Sequence, residues 1–179
     1  MIFKETPLKG CYLIKPERFG DERGHLARTF CRDEFAKHGL TAEVAQCSTT
    51  MTAEKGAVRG MHFQVSPHEE DKLVRCVSGA IYDVAVDIRD GSATRGRWFA
   101  AELSRDNGEA VFIPKGFAHG FQALAGNVEV FYQMSAAYDP AAAMGYRWDD
   151  PAFAIDWPLA VGRMSERDRG WPDFSVEKR

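Results

Sequence analysis

Short runs of strictly alternating side chains, cut every few residues by glycine turns, constrain this chain more than any other feature. Between Gly79 and Asp90, Tyr82, Val84, Val86 and Ile88 fall on one face, while Asp83, Asp87 and Arg89 fall on the other. From Val128 to Met134, the residues Val128, Val130, Tyr132 and Met134 share a face. A period of two is the period of a strand. Turn signals at Gly20-Asp21, Asp90-Gly91, Asn107-Gly108 and Gly126-Asn127 keep those strands short. The pattern predicts an all-β sandwich or barrel rather than strands alternating with helices. One helical segment is expected at Arg32 to His38, with Asp33 as its cap and Gly39 at its end. After Asp149 the chain carries Pro151, Pro158 and Pro172 among Trp148, Trp157 and Trp171. That much aromatic surface is costly in water, so the tail is expected to wrap over the barrel in ordered form.

The 179 residues fit a single domain spanning 1–179, with no internal repeat, linker or low-complexity stretch. A chain of this size closes a core without a disulfide or metal staple. The formal net charge of −3 and pI near 6.0 argue against nucleic acid or a membrane as partner, since both call for a concentrated basic face. Cys11, Cys31, Cys47 and Cys76 show no CxxC pair, so neither a disulfide framework nor a zinc site is expected. The start, Met1-Ile2-Phe3-Lys4-Glu5, lacks the basic and apolar regions of a signal peptide. No apolar run approaches the roughly 20 residues that cross a bilayer. A cytoplasmic protein with reduced thiols is expected.

Two segments carry histidines at matching places. An apolar strand after Gly108 runs into Pro114-Lys115-Gly116, which ends it and sets His119 at the start of the next strand. This resembles the second motif of the cupin superfamily, and Gly56 to His62 resembles the first. The resemblance implies a cupin-type double-stranded β-helix, a jelly-roll barrel with a few short helices. Metal-binding cupins usually carry a second histidine two residues on; here Gln64 stands there, a poor ligand for zinc, iron or copper. Only Glu69 sits where a carboxylate ligand might. A set of His62, His119 and Glu69 lacks its fourth member, so no metal and no cofactor are expected. For His119 alone, a core histidine satisfied by backbone is a stronger alternative than a metal ligand.

A second constellation holds Arg59 and His62 close together, followed by Lys72 at the head of an apolar strand. Facing inward, Lys72 would be a buried cation in need of an anionic partner or substrate. Tyr132 interrupts an otherwise apolar strand face, where its phenol needs a polar partner. Asp168 lies in Ser165-Glu166-Arg167-Asp168, in the tail that would fold back across the barrel mouth.

At these positions the chain resembles the dTDP-4-dehydrorhamnose 3,5-epimerase family, over nearly its whole length. The resemblance begins at Phe19-Gly20-Asp21-Glu22-Arg23-Gly24 and continues through Arg59-Gly60-Met61-His62-Phe63-Gln64 and Lys72-Leu73-Val74-Arg75. It takes in the strand from Asp83 to Arg89 and the segment from Pro114 to Phe121. It closes with Asp150-Pro151, Ile155-Asp156-Trp157-Pro158 and Ser165 to Asp168.

The resemblance implies an isomerase acting at C3, C5 or both of a nucleotide-linked 4-keto-6-deoxy sugar, working as a homodimer. His62, oriented by Asp168, would remove the proton beside the ketone, imidazole being the side chain generally suited to proton transfer near neutral pH. Lys72 would stabilise the enolate, and Tyr132 would return a proton on the opposite face. Arg23, Arg59 and Arg167 would grip a diphosphate. Asp83 and His119 would belong to the substrate contacts, Gln46 and Ser48 to the nucleotide contacts, and Tyr138 would stack on the base. Arg28 stands where a glutamate is usual, Ser48 replaces an asparagine, and Met144 lies near an often acidic position. These departures leave the nucleoside and the sugar open. Glu70 replaces a usual glutamine and adds a charge near Lys72. Of the alternatives, a metal-dependent cupin oxygenase is disfavoured by Gln64, and a ketoisomerase of the same fold by Tyr132. A sugar-binding barrel without activity has no need of an opposed acid and base.

Overall fold

The computed structural model describes residues 1–175. The chain begins with β1 (Ile2–Glu5) and β2 (Tyr12–Lys15), then a hairpin of β3 (Arg18–Asp21) and β4 (Gly24–Ala27). Helix α1 (Arg32–Lys37) leads into β5 (Gln46–Thr52), β6 (Val58–Gln64), β7 (Lys72–Ser78) and β8 (Ala80–Asp87). The second half holds β9 (Trp98–Ser104), β10 (Ala110–Ile113), β11 (Phe117–Ala123), β12 (Val128–Met134) and β13 (Ala143–Gly145). A single turn of helix, α2 (Glu166–Arg169), lies in the tail.

Six strands form one sheet in the order β1-β2-β10-β7-β12-β5, and five form a second in the order β13-β6-β11-β8-β9. Neighbours in space are mostly distant in sequence, which is jelly-roll connectivity. The two sheets face each other over one core, with Val74, Cys76 and Val130 from the first against Ile81, Ala85 and Phe121 from the second. This is the expected cupin-type barrel. Among the described residues, no helix is long and apolar enough to cross a membrane. Burial pushes the core thiols of Cys11 and Cys76 up to about 12 and about 11, so both sit as unreactive core residues.

Strand β8 shows how the alternation is used. Its apolar face, with Tyr82, Val84 and Val86, points out of the barrel and is covered by Phe153, Ile155, Trp157 and Phe174 of the tail. Its other face turns inward and buries Asp83 and Asp87. Buried carboxylates need partners. Asp87 accepts from Arg89, Ser92 and Thr94, and Asp83 pairs with His119. The tail is pinned by Asp150, whose carboxylate accepts the backbone N–H groups of Ala152 and Phe174.

Two local expectations are corrected. The turn expected at Gly20-Asp21 falls instead at Glu22-Arg23, because Gly20 and Asp21 pair with His25 and Gly24 inside the hairpin. Asp33 is not the cap of α1: Cys31 holds that place without a side-chain bond, and Asp33 lies in the first turn. There its charge still complements the free N–H groups. Gly39 follows the helix with φ of +67°, as a terminating glycine should.

One irregularity positions the site. Along β11, His119 and Phe121 pair with His62 and Arg59 of β6, so two steps on one strand match three on the other. This is a β-bulge, and it turns Arg59 and His62 to the same side. It needs Gly60, where φ is +137° and an added Cβ would come within 2.5 Å of Gly120 Cα.

Candidate active site

A cavity of about 360 Å³ opens between the sheets. Thr50, Lys72, Tyr132 and Met134 line it from the six-stranded sheet, and Arg59, His62, His119, Phe121 and Met144 from the other. The tail adds Arg167 and Asp168.

The tail reaches the cavity because Ser165 caps α2, its Oγ accepting the backbone N–H of Asp168 at 3.1 Å. This aims the Asp168 carboxylate at β6, where Oδ1 lies 2.6 Å from His62 Nε2. Burial pushes the Asp168 carboxyl up, but the hydrogen bond and charge of His62 and the Gly60 amide outweigh it. The indole of Trp171 adds to that pull without making a full hydrogen bond of its own. Asp168 is thus held below the usual carboxylate value and stays ionised. An ionised carboxylate only accepts, so Nε2 carries a proton toward it, and in the neutral form of the ring Nδ1 is the nitrogen with the lone pair. The carboxylate thus fixes the orientation of the imidazole ring.

On β7 the alternation turns Lys72 inward with Val74 and Cys76, as its place at the head of the strand suggested. Its Nζ lies 3.1 Å from Glu70 Oε1 and donates to the His62 carbonyl at 3.2 Å. An ammonium has three N–H groups, so the third is left for the cavity. The Tyr132 hydroxyl finds its polar partner in Thr50 Oγ1 at 3.0 Å. Tyr132 and His62 stand on different sheets, across one cavity.

Other candidates fall into three groups. Arg59, His119, Tyr138 and Arg167 line the cavity. Arg59 is steadied by Thr52 Oγ1 at 2.9 Å and the Met51 carbonyl. Gln46, Ser48 and Asp83 stand one layer back. Asp83 Oδ1 lies 2.7 Å from His119 Nε2, while Gln46 donates to Ser48 and accepts the Tyr138 N–H at 3.0 Å. Arg23 is not brought to the cavity; it sits at the tip of the β3–β4 hairpin, paired with Asp21. Arg28 likewise pairs with Glu34.

Gln64 is buried and donates to the His68 carbonyl while accepting the Asp139 N–H, so it ties down the segment carrying Tyr138. Glu69 is exposed and outside the cavity lining. Among the described residues, no three His, Cys, Asp or Glu side chains converge as a ligand set. Sequence reasoning missed Thr50, although it follows Gln46 and Ser48 at period two. It placed Glu70 only near Lys72, whereas the carboxylate lines the cavity itself. It read Trp171 only as aromatic surface.

Residues 5–176 match the family model described as dTDP-4-dehydrorhamnose 3,5-epimerase. The chain belongs to this family of sugar-nucleotide epimerases. It is similar to the enzyme of that name from Sinorhizobium fredii, at 41% identity over 97% of this chain and 90% of the relative. Among solved structures of the family, that of the Bacillus anthracis enzyme with TDP and PPi bound superposes with a TM-score of 0.93. It shares 36% identity over 97% of this chain and 99% of that one. The Legionella pneumophila dTDP-6-deoxy-D-glucose-3,5-epimerase in complex with dTDP-4-keto-L-rhamnose gives a TM-score of 0.89. Its identity is 33% over 98% of this chain and 99% of that one. In this chain the cavity is walled by the His62–Asp168 pair on one side and the Tyr132 phenol on the other.

Proposed function

We propose that this chain inverts the carbons beside the ketone of a dTDP-linked 4-keto-6-deoxy sugar, removing a proton at one ring face and delivering one at the other. The observation that carries this is the placement of His62 and Tyr132 on opposite walls of one cavity, with Lys72 beside them. A single base on one face would only return the proton to its origin.

His62 Nδ1 takes the proton, and Asp168 stabilises the imidazolium that forms. The C–H electron pair moves toward the ketone, and charge grows on its oxygen. The third N–H of Lys72 meets that charge, which is larger in the transition state than in the ground state. Tyr132 then protonates the carbon from the far side. Solvent returns the proton to the phenolate and removes one from the imidazolium, so the cycle closes. Every step runs through side chains, with no metal or cofactor in the scheme.

Arg59 and Arg167 take the diphosphate through paired hydrogen bonds. Gln46 and Ser48 hold the nucleoside side, with Tyr138 stacked on the base. His119, backed by Asp83, contacts the sugar. The 1–179 chain works in this reading as one domain in a cytoplasmic homodimer, supplying dTDP-rhamnose for cell-surface polysaccharide. The hairpin supports the dimer: it leaves Phe19 and Leu26 70% and 74% exposed, and a two-stranded ribbon is weak without cover. From such an interface Arg23 would meet substrate.

Solvent deuterium incorporation, followed by NMR with dTDP-4-keto-6-deoxyglucose, tests the chemistry. Exchange at C3 and C5 is expected. A protein that binds this substrate yet exchanges neither carbon would overturn the proposal.

A further inference from the structure

Trp171 has no part in the proposed chemistry, yet contacts from three directions converge on it. The Arg167 guanidinium lies 4.9 Å over its ring. The indole meets His62 edge-on, with ring centroids 6.4 Å apart at 71°. On its other side a Cβ added to Gly145 would fall 2.5 Å from indole atoms, so the bare backbone of β13 is what makes room for the ring. Gly145 is itself the partner of His62 in the β13–β6 register. The next residue is held as well, since Arg147 donates its N–H to the Pro172 carbonyl at 3.2 Å. The buried Trp171 Nε1 makes no full hydrogen bond, but its N–H acts on the Asp168 carboxylate and helps hold that group below its usual value.

Helix α2 needs such a clamp. It is four residues long, and one helical turn does not hold itself in water. Its Ser165 cap fixes the local turn but not where that turn sits on the sheet. Trp171 follows the helix after Gly170, three residues beyond Asp168.

We propose that Trp171 is a positioning residue, wedged between Gly145 and His62, that fixes α2 so that Asp168 meets His62 and Arg167 keeps its direction into the cavity. This rests on the reading of His62 and Asp168 as base and orienter. It adds a requirement that neither residue's own chemistry reveals: the dyad depends on a ring that touches no substrate.

The test uses the full chain with Trp171→Leu, Trp171→Phe, Gly145→Ala and the double variant Gly145→Ala/Trp171→Leu. Each is measured for kcat and KM on dTDP-4-keto-6-deoxyglucose, for Tm, and by proton NMR for the downfield imidazole N–H of His62. Small misplacements of catalytic groups cost up to about 100-fold, so Trp171→Leu is expected to lower kcat about tenfold and to shift or broaden the His62 signal. Trp171→Phe, which keeps a ring edge against His62, should return kcat to within about threefold of the parent. Gly145→Ala should lower kcat by pushing the indole. The double variant should be no worse than the poorer single one, because both act through one contact. A Trp171→Leu protein with a lower Tm but unchanged kcat and His62 signal would overturn the proposal, as would losses that multiply in the double variant. Should Trp171→Leu fail to fold, Gly145→Ala with an unchanged His62 signal would overturn it equally. Failure of the functional reading looks different: the parent protein itself would not turn over, while the His62 signal would still report the clamp.

Discussion

Two of the histidine–aspartate pairs among the described residues have their histidines on adjoining strands, and they are built in opposite ways. His62 and His119 are register partners across β6 and β11, and each offers Nε2 to an aspartate at nearly the same distance, 2.6 and 2.7 Å. The Asp83 of the second pair comes from β8, the strand next to β11 within the same sheet. That pair is largely enclosed, with side chains 13% and 1% exposed, and only the His119 ring reaches the cavity wall. The Asp168 of the first comes from the tail, 106 residues away in sequence, and leaves His62 43% exposed to the cavity. The same hydrogen bond therefore serves two arrangements. In the proposed chemistry the open pair passes its proton onward, while the enclosed pair holds a histidine at a fixed angle in a wall. The sheet builds the fixed group, and the tail completes the open one.

This contrast can be broken experimentally. Its largest expected consequence is for His62→Ala, which should lower kcat about 10⁴-fold, the upper range for loss of a general base. The fold by circular dichroism and dTDP affinity by calorimetry should stay near the parent values; activity within tenfold of the parent would remove His62 from its role. Asp168→Asn comes next, with a loss of about 10³-fold in kcat and little change in KM, because an amide favours the wrong imidazole tautomer. If that variant lost mainly KM, Asp168 would belong to binding instead.

Asp83→Asn sharpens the contrast from the other side. Removing a buried charge-assisted hydrogen bond should cost about 1–3 kcal/mol in urea unfolding. Its kcat should fall about tenfold at most, since His119 only loses its fixed angle. Equal ranking of the two aspartates in both assays would abolish the distinction.

The smallest effect concerns acid stability. Asp168 is held below its ordinary value in the folded chain, so it contributes stability above its unfolded value of about 3.9 and loses it as pH falls through the folded one. Urea midpoints of the parent should therefore drop more steeply below about pH 4 than those of Asp168→Asn. Parallel curves would mean the carboxylate is not held by its partners.

Much of the barrel was legible because strand alternation is a local property. Val128, Val130, Tyr132 and Met134 lie on one face as their spacing requires, and Lys72 turns inward for the same reason. The site was legible only in part. Arg59 and His62 are three residues apart, a spacing that puts strand residues on opposite faces unless a bulge intervenes, and the bulge depends on Gly60 meeting Gly120 of another strand. Gln64 raised the question of its missing metal-ligand role but not its answer, which lies in the Asp139 and His68 backbone groups. The place of Trp171 depends on Gly145, 26 residues away, and no periodicity links them.

The tail has a consequence for how activity arises in time. Residues 149–175 cover the outer face of β8 and also carry Asp168, so one segment finishes the packing and orients His62. Translation delivers that segment after every strand of the barrel. A nascent chain therefore holds its sheets, its lysine and its phenol well before it holds an oriented histidine. In the proposed chemistry, proton abstraction therefore waits for the tail, and cleavage before residue 165 would remove it while leaving the barrel strands intact.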